Sequence, residues 1–316
     1  MKLSATFTLL GVLGFCILGS VPGAAGRLPV AADARTPPSP KVSAITTGTH
    51  WGSVGDMPTF KRLGYSFDVI TVDPYDKSQW KRVLDAAKAN RLKLIIGAYP
   101  EPYSYSKGQW KISQAGRKFL KYLKTRSSLV LAVFVYNEPY WVGPFTGQTN
   151  SCGATSAAQL RRLRTKIRSV WQGAKIYHDL GWPSAWAPGG SLHDGYRCIG
   201  RKYADQRGVA DYVGIWDYPF TSSGFMRTAG LATLAREARY VKRAMHATPV
   251  FLGQTHAVDN LVWPISLELQ DWNCAIRAAL PAGSLISWYV WRQEIYSDYL
   301  ANHPEMQVLT TQAVCR

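Results

Sequence analysis

Residues 130–137, Val-Leu-Ala-Val-Phe-Val-Tyr-Asn, form an apolar run rich in β-branched and aromatic side chains that ends at a polar residue. Such a run is typical of a strand buried on both faces, since an exposed face would require alternating polar residues. Similar runs recur along the chain, and the segments between them have helical spacing. The predicted strands are residues 42–49, 67–73, 92–99, 130–137, 174–179, 212–218, 250–254 and 285–291.

The alternation of strands and helices predicts the fold. Helical spacing is clearest in residues 80–87, 156–171, 231–245 and 267–279. Eight strand–helix units predict a single (β/α)8 barrel, a fold that typically needs about 250 residues. An open doubly wound sheet is the alternative, but no Gly-x-Gly-x-x-Gly follows the first strand, so a dinucleotide-binding form has no support. We expect one barrel domain over residues 42–316.

The first residues predict export. Lys2 supplies a positive charge, the apolar run of residues 6–18 is too short to span a bilayer, and small residues follow at 23–26. We interpret residues 1–26 as a signal peptide and residues 27–41, rich in Ala and Pro, as a flexible leader. The protein is therefore expected outside the cell, and no later segment is long and apolar enough to form a transmembrane helix.

The cysteines fit an exported protein. Cys16 lies in the signal peptide, and an even number of cysteines in the exported part favours disulfides over metal ligands. The pairs Cys152–Cys198 and Cys274–Cys315 are predicted, out of three possible connectivities. No Cys-x-x-Cys or His-Glu-x-x-His motif is present, and His50, His178 and His256 fall on different strands, so no metal or other cofactor is expected.

The net charge of the chain is strongly positive, at +17 from 37 basic and 20 acidic residues. Two interpretations remain open: solvated helix faces, as in residues 161–168, or a surface attracted to anionic polymers. No nucleic-acid-binding motif accompanies the charge, so specific nucleic-acid recognition is not predicted. No Gly-x-Ser-x-Gly motif occurs, so an esterase or lipase has no support.

The carboxyl ends of the strands form the site in a barrel of this type. Six carboxylates collect there in the predicted arrangement: Asp73, Glu101, Glu138, Asp179, Asp217 and Glu294. Aromatic residues accompany them, and aromatic faces suit sugar rings, whose C–H surfaces are apolar. The predicted carbohydrate-binding residues are Trp51, Asp73, Tyr99, Asn137, His178, Tyr218, Gln254, Trp288 and Trp291.

The segment of residues 135–139, Val-Tyr-Asn-Glu-Pro, resembles the fourth-strand motif of retaining glycoside hydrolases with (β/α)8 barrels. The resemblance implies that Glu138 is the general acid/base and that Asn137 binds the sugar 2-hydroxyl. A glycosidic oxygen leaves poorly until it is protonated, so the acid must stay neutral near working pH, which partial burial achieves. In the alternative interpretation, Glu138 caps the next helix or pairs with a loop arginine.

The chain departs from that family at the seventh strand. The family places its nucleophilic Glu at the end of this strand, where this chain has Gln254. An amide cannot supply the negative charge that faces an oxocarbenium-like transition state. One hypothesis is that a second carboxylate acts from another strand, with Asp217 and Glu294 as first candidates and Asp179 and Asp73 behind them.

Two further hypotheses remain. The substrate's own acetamido group can act as nucleophile, as in chitinase-like barrels, and Glu138, Tyr218 and Trp288 or Trp291 loosely resemble that arrangement. Its Asp-x-Asp-x-Glu pattern is missing, however, since Phe134 and Tyr136 occupy the acidic positions. Alternatively, the barrel binds carbohydrate without cleaving it. We favour a secreted hydrolase of a polysaccharide or glycoconjugate, with Glu138, Asp217 and Glu294 as candidate catalytic residues.

Overall fold

The computed structural model describes residues 45–50, 52–137, 156–179, 207–217, 220–221, 224–225, 229–254, 266–289, 300–311 and 315. The predicted signal peptide and leader lie outside these residues. No helix in the described ranges is long and apolar enough to cross a membrane.

Twelve strands occur among the described residues. In chain order they are β1 (Thr46–His50), β2 (Phe67–Val72), β3 (Lys93–Ala98), β4 (Tyr103–Ser106), β5 (Gln109–Ile112), β6 (Val130–Asn137), β7 (Ile176–Asp179), β8 (Tyr212–Asp217), β9 (Phe220–Thr221), β10 (Gly224–Phe225), β11 (Thr248–Gln254) and β12 (Leu285–Tyr289).

Eight of these strands close into a parallel barrel in the order β1-β2-β3-β6-β7-β8-β11-β12, with β12 paired to β1. Each strand pairs with the next barrel strand along the chain, which is the topology of a (β/α)8 barrel. The predicted fold class is confirmed, and β6 has the bounds that the apolar run predicted.

Helices follow the barrel strands and cover the sheet. They are α1 (Met57–Leu63), α2 (Lys77–Ala89), α3 (Gln114–Lys124), α4 (Ala157–Arg168), α5 (Ala229–Arg243), α6 (Ser266–Ala279) and α7 (Pro304–Thr311). Local capping fixes where several of them begin. The side chains of Asp76, Ser113 and Ser156 accept hydrogen bonds from backbone N–H groups in the first turns of α2, α3 and α4.

Two antiparallel hairpins, β4–β5 and β9–β10, interrupt the repeating pattern. The turn of the first hairpin contains Lys107 and Gly108, both with positive φ, which is the requirement of a type I′ turn. Sequence analysis did not predict either hairpin. The first one packs against α4, where the indole N–H of Trp110 donates to the carbonyl oxygen of Gln159 at 2.8 Å.

The core has two layers, because alternate residues of each strand face the barrel interior or the helices. The interior layer consists of Phe67, Val69, Ile95, Ala132, Phe134, Tyr177, Val250 and Leu285. Space there is tight: a Cβ on Gly48 would lie 2.6 Å from the ring of Phe67. The face that a strand residue occupies therefore decides whether its side chain can reach the opening.

Candidate active site at the carboxyl ends of the barrel strands

The carboxyl ends of the eight barrel strands meet at one rim, because all eight strands are parallel. The structure brings Asn137, Asp217 and Gln254 to this rim as the last residues of β6, β8 and β11. Asp73 and Tyr99 directly follow β2 and β3. Five predicted site residues lie outside the described residues: Trp51, Glu138, Tyr218, Trp291 and Glu294.

The end of β6 is held by an aromatic cluster. The register between β6 and β7 shifts between Phe134 and Tyr136, so that Tyr136 packs outward against the first hairpin. Its ring centroid lies 6.1 Å from that of Tyr103 and 6.0 Å from that of Trp110, and its hydroxyl donates to the carbonyl oxygen of Tyr103 at 3.2 Å. These contacts fix the position of the strand that ends at Asn137.

Asp179 places a buried carboxyl group at the rim. It ends β7, is fully buried, and shares a strand face with Tyr177, whose side chain belongs to the interior layer of the core. A Cβ on Gly214 of β8 would lie 2.8 Å from Asp179 Oδ1, so the missing side chain provides room for this carboxylate. Burial raises the pKa of Tyr177 well above its ordinary value, and the charge of Asp179 raises it further.

Asp73 is exposed and shapes the turn that leads into α2. Its Oδ1 accepts the backbone N–H of Tyr75 at 2.7 Å, and its carbonyl oxygen accepts the indole N–H of Trp80 at 2.6 Å. Its own N–H donates to the side chain of Gln79 at 2.7 Å. The neighbouring strand end differs, because Tyr99 is 68% exposed and presents most of its ring to solvent.

Two predicted substrate-binding residues lie behind the barrel wall. Trp288 is fully buried in the core between the sheet and the helices, and its indole N–H donates to the carbonyl oxygen of Thr310 in α7 at 2.9 Å. A Cβ on Gly253 would lie 2.7 Å from its ring, so the neighbouring strand leaves no room for movement. A sugar cannot reach this ring, and a substrate-binding role does not fit its position.

His178, like Trp288, lies behind the barrel wall and not at the opening. It pairs across the sheet with Tyr136, which faces the helices, and it is fully buried. Burial lowers the pKa of His178 to about 3, and the positive charge of Arg164 on α4 lowers it further. Neither ring nitrogen has a hydrogen-bond partner among the described residues. A neutral imidazole behind the barrel wall does not line the opening.

His50 faces the barrel interior, unlike His178. It ends β1, and its ring centroid lies 6.5 Å from that of Phe134. Burial lowers the pKa of His50 to about 3, so the ring is neutral across the ordinary pH range. The described residues contain no group of three or more His, Cys, Asp or Glu side chains that could hold a metal ion.

Sequence analysis missed a buried carboxyl group, Asp68, behind the first two strands. Asp68 accepts the hydroxyl of Thr49 at 2.8 Å and the backbone N–H of Gly52 at 3.4 Å, and thereby ties β2 to the segment after β1. Burial raises the pKa of Asp68 to about 7. The signal was available in the sequence, because Asp68 is the one charged residue within the apolar run of β2.

Comparisons with known proteins identify the fold. No protein-family model matches the chain, and no curated protein matches it in sequence. The endo-1,4-β-mannanase from Rhizomucor miehei superposes with a TM-score of 0.59 at 12% identity, over 84% of this chain and 93% of that one. GH5_18 from Streptomyces cattleya, solved in complex with GlcNAc, gives a TM-score of 0.54 at 12% identity, over 86% and 80%.

A third structure is larger than this chain. The exo-β-1,4-mannosidase from Opitutaceae bacterium strain TAV5 gives a TM-score of 0.52 at 15% identity, over 83% of this chain. The match covers 55% of the mannosidase, so this chain spans about half of that protein's length. At these identities the likeness establishes the fold, which is the (β/α)8 barrel of these glycoside hydrolases.

Proposed function

We propose that the protein is a secreted glycoside hydrolase that cleaves an extracellular polysaccharide or glycoconjugate with Glu138 as general acid/base. The position of Asn137 carries the proposal. It is the last residue of the fourth barrel strand, so the Asn-Glu-Pro sequence begins at the rim where active sites of this fold lie. The barrel also has the fold of mannanases and a mannosidase.

The reaction requires two carboxyl groups with different roles. Glu138 protonates the departing glycosidic oxygen, and a second carboxylate either attacks the sugar or activates water. Gln254 ends the seventh barrel strand and cannot take that second role, because an amide carries no charge. Asp217 and Glu294 remain candidates from the sequence. Asp179, a further candidate from the sequence, is supported by its burial inside the rim.

A glycan screen that scores binding and release of reducing ends together tests the proposal. It starts with β-1,4-mannans and GlcNAc-containing oligosaccharides, because the solved structures of this fold include a mannanase and a GlcNAc complex. Polymers of uronic acids complete the set, since the chain carries a net charge of +17. Release of reducing ends selects a hydrolase.

Glu138→Gln then tests the role of the acid. The substitution keeps the shape of the side chain and removes its titrating proton, so we expect hydrolysis to fall about 10²–10⁴-fold with little change in glycan affinity. Glu305→Gln, an exposed residue on α7, is the matched control and should retain full activity. Unchanged hydrolysis by the Glu138→Gln variant would show that Glu138 is not the general acid and would contradict the proposed mechanism.

A carbohydrate-binding barrel without catalysis is the second candidate, and Gln254 is the observation that favours it. A barrel that lacks a carboxylate on its seventh strand can retain its sugar-binding surface while losing turnover. Binding in the screen without release of reducing ends, under conditions where the folded protein is intact, would select this function over the hydrolase.

A further inference from the structure

A groove of about 770 Å³ lies between α2 and α3 on the outside of the barrel. Its lining includes Pro74, Tyr75 and Lys77 from the start of α2, and Lys118, Lys121 and Tyr122 from α3. Its volume falls within the range of about 300–1,000 Å³ that is common for ligand sites. Both helices begin at the rim, because each follows the carboxyl end of a barrel strand. The groove therefore runs from the rim down the side of the barrel.

The lysines of the groove are not paired with carboxylates in the described part of the chain. Lys77, Lys118 and Lys121 are exposed, and none of them forms an ion pair with a carboxylate in the described part of the chain. α3 contains no acidic residue between Gln114 and Lys124. On α2, Asp85 is already paired with Lys81 at 2.7 Å. The α3 side of the groove is therefore basic, and such a surface attracts anions.

The acidic residues at the upper end of the groove are engaged in capping. Asp76 accepts the backbone N–H of Gln79 at 3.0 Å and the hydroxyl of Ser78 at 2.6 Å. Asp73 holds the backbone of Tyr75. These bonds order the turn and stabilise both carboxylates in their charged form, so the cations that a ligand meets lie further down, along α3.

The floor and upper edge of the groove are aromatic. Trp80 is buried and packs between Phe119, at a ring-centroid distance of 5.2 Å, and Tyr122, at 5.8 Å. Tyr75 is 72% exposed, and the hydrogen bond from its backbone to Asp73 fixes the turn that carries its ring. Apolar faces on an ordered backbone suit the C–H surfaces of sugar rings at a small cost in ordering entropy.

We propose that this groove binds a carboxylated polysaccharide, a chain of uronic acid units that continues from the rim along α3. The lysines at positions 118 and 121 lie on one face of the helix, one turn apart, and can meet repeated carboxylates along such a chain. The exposed Tyr75 provides a ring for stacking at the upper end. The inference deepens the proposed function, on which it rests in taking the bound polymer to be a carbohydrate.

Binding of polygalacturonate to the full-length Glu138→Gln protein at low ionic strength tests the site without turnover. Replacing both helix lysines, as Lys118→Gln with Lys121→Gln, should weaken binding about fivefold to thirtyfold. The matched control is Lys88→Gln with Lys124→Gln, which removes the same charge from exposed positions of α2 and α3 outside the groove. The control should change binding less than about twofold.

Two further ligands separate sugar recognition from charge alone. Tyr75→Ala should weaken binding of polygalacturonate at least threefold and leave binding of poly-glutamate unchanged, because only the sugar stacks on the ring. Methyl-esterified polygalacturonate, which keeps the sugars and lacks the charges, should bind at least tenfold more weakly than polygalacturonate to the protein with an intact groove.

Each contrary result overturns the inference. Equal weakening in the groove and control variants would show general attraction to a basic surface. An equal effect of Tyr75→Ala on poly-glutamate, or tight binding of the esterified polymer, would show a ligand of another class. If the variants and polymers bind as expected but the wild-type protein hydrolyses no glycan, only the proposed function is contradicted. If hydrolysis occurs while the pattern is missing, only the groove assignment fails.

Discussion

Asp179 lies directly opposite Asn137 in the parallel pair formed by β7 and β6, and each residue is the last of its strand. Neighbouring strands are about 4.8 Å apart. The backbone of Asp179, which carries a buried carboxyl group, is therefore one strand spacing from the backbone of the residue that precedes Glu138. Carboxyl pairs in glycosidases lie about 5–9.5 Å apart, depending on the mechanism. Within the proposed mechanism, this position makes Asp179 a candidate for the second role.

Asp179→Asn should lower the turnover of the substrate found in the glycan screen by at least about 10²-fold, because the amide keeps the shape and loses the charge. Asp85→Asn, which removes an exposed carboxylate from α2, is the control and should stay within about twofold. The kcat and the melting temperature are measured together. Turnover that persists, or that falls only in proportion to folded protein, would leave Asp179 a structural residue.

Trp288→Phe should lower stability and leave KM unchanged. The substitution removes the shorter of two hydrogen bonds to the carbonyl oxygen of Thr310, the other being from Arg277 at 3.5 Å, at a cost of about 0.5–1.5 kcal/mol. Urea unfolding measures the loss of stability, and steady-state kinetics on the folded protein measure KM. A large rise in KM at unchanged stability would place the ring at the substrate and contradict its position behind the barrel wall.

The sequence predicted the barrel because each strand is a continuous apolar run, and such runs show where along the chain each strand lies. The same continuous apolar composition does not reveal the direction in which each side chain points. When both faces of a strand are buried, the sequence does not show which residues face inward. His178 and Trp288 were for this reason assigned to the opening, whereas the structure places both on the helix side.

The rim was harder to predict than the strands. The hairpin β4–β5 consists of two short strands, and only the Lys107-Gly108 turn marks it in the sequence. Its packing against Tyr136 depends on residues about 30 positions apart in sequence, a separation that local patterns do not register. The groove between α2 and α3 likewise arises from two helices whose charges become one surface only after folding.

The disulfide Cys274–Cys315, one of the two predicted pairs, is confirmed. It links α6 to Cys315, beyond the end of α7, across a separation of 41 residues. Replacing both cysteines by serine should destabilise the protein by about 2–4 kcal/mol, since the unfolded chain regains the closed loop's entropy.

Cys152–Cys198, outside the described residues, stays a prediction. Thiol titration of the denatured, unreduced mature protein should find no free thiol, and four reactive thiols would contradict both pairs.

Asp68 predicts a specific dependence of stability on pH. Its pKa is about 7 in the folded protein and near 3.8 in the unfolded chain, with burial as the main cause and the charge of Asp56 as a smaller one. Between these values the folded state binds the extra proton, so this group's contribution to stability falls as pH rises from about 4 to 7. Above pH 7 the buried carboxylate is charged and opposes folding.

Asp68→Asn removes that dependence while an amide oxygen still accepts the Thr49 hydroxyl. The variant's advantage in unfolding free energy over the wild type should therefore be larger at pH 8 than at pH 4.5. His50 and His178 titrate in both proteins and cancel in the comparison. Urea unfolding at the two pH values measures the difference, with Asp85→Asn as a surface control. An advantage that does not grow with pH would contradict the raised pKa.

Gln254→Glu tests how the site works without a carboxylate on its seventh strand. If Glu138 already acts with a carboxylate from another strand, a third carboxyl group at the rim should raise the pKa values of its neighbours and lower turnover. We expect this loss, together with a shifted pH profile of kcat/KM. A gain in turnover would instead reveal a retaining site that lacks only its nucleophile, in favour of the carbohydrate-binding barrel. Gln254→Ala, which removes the amide without adding charge, separates the electrostatic effect from loss of a contact.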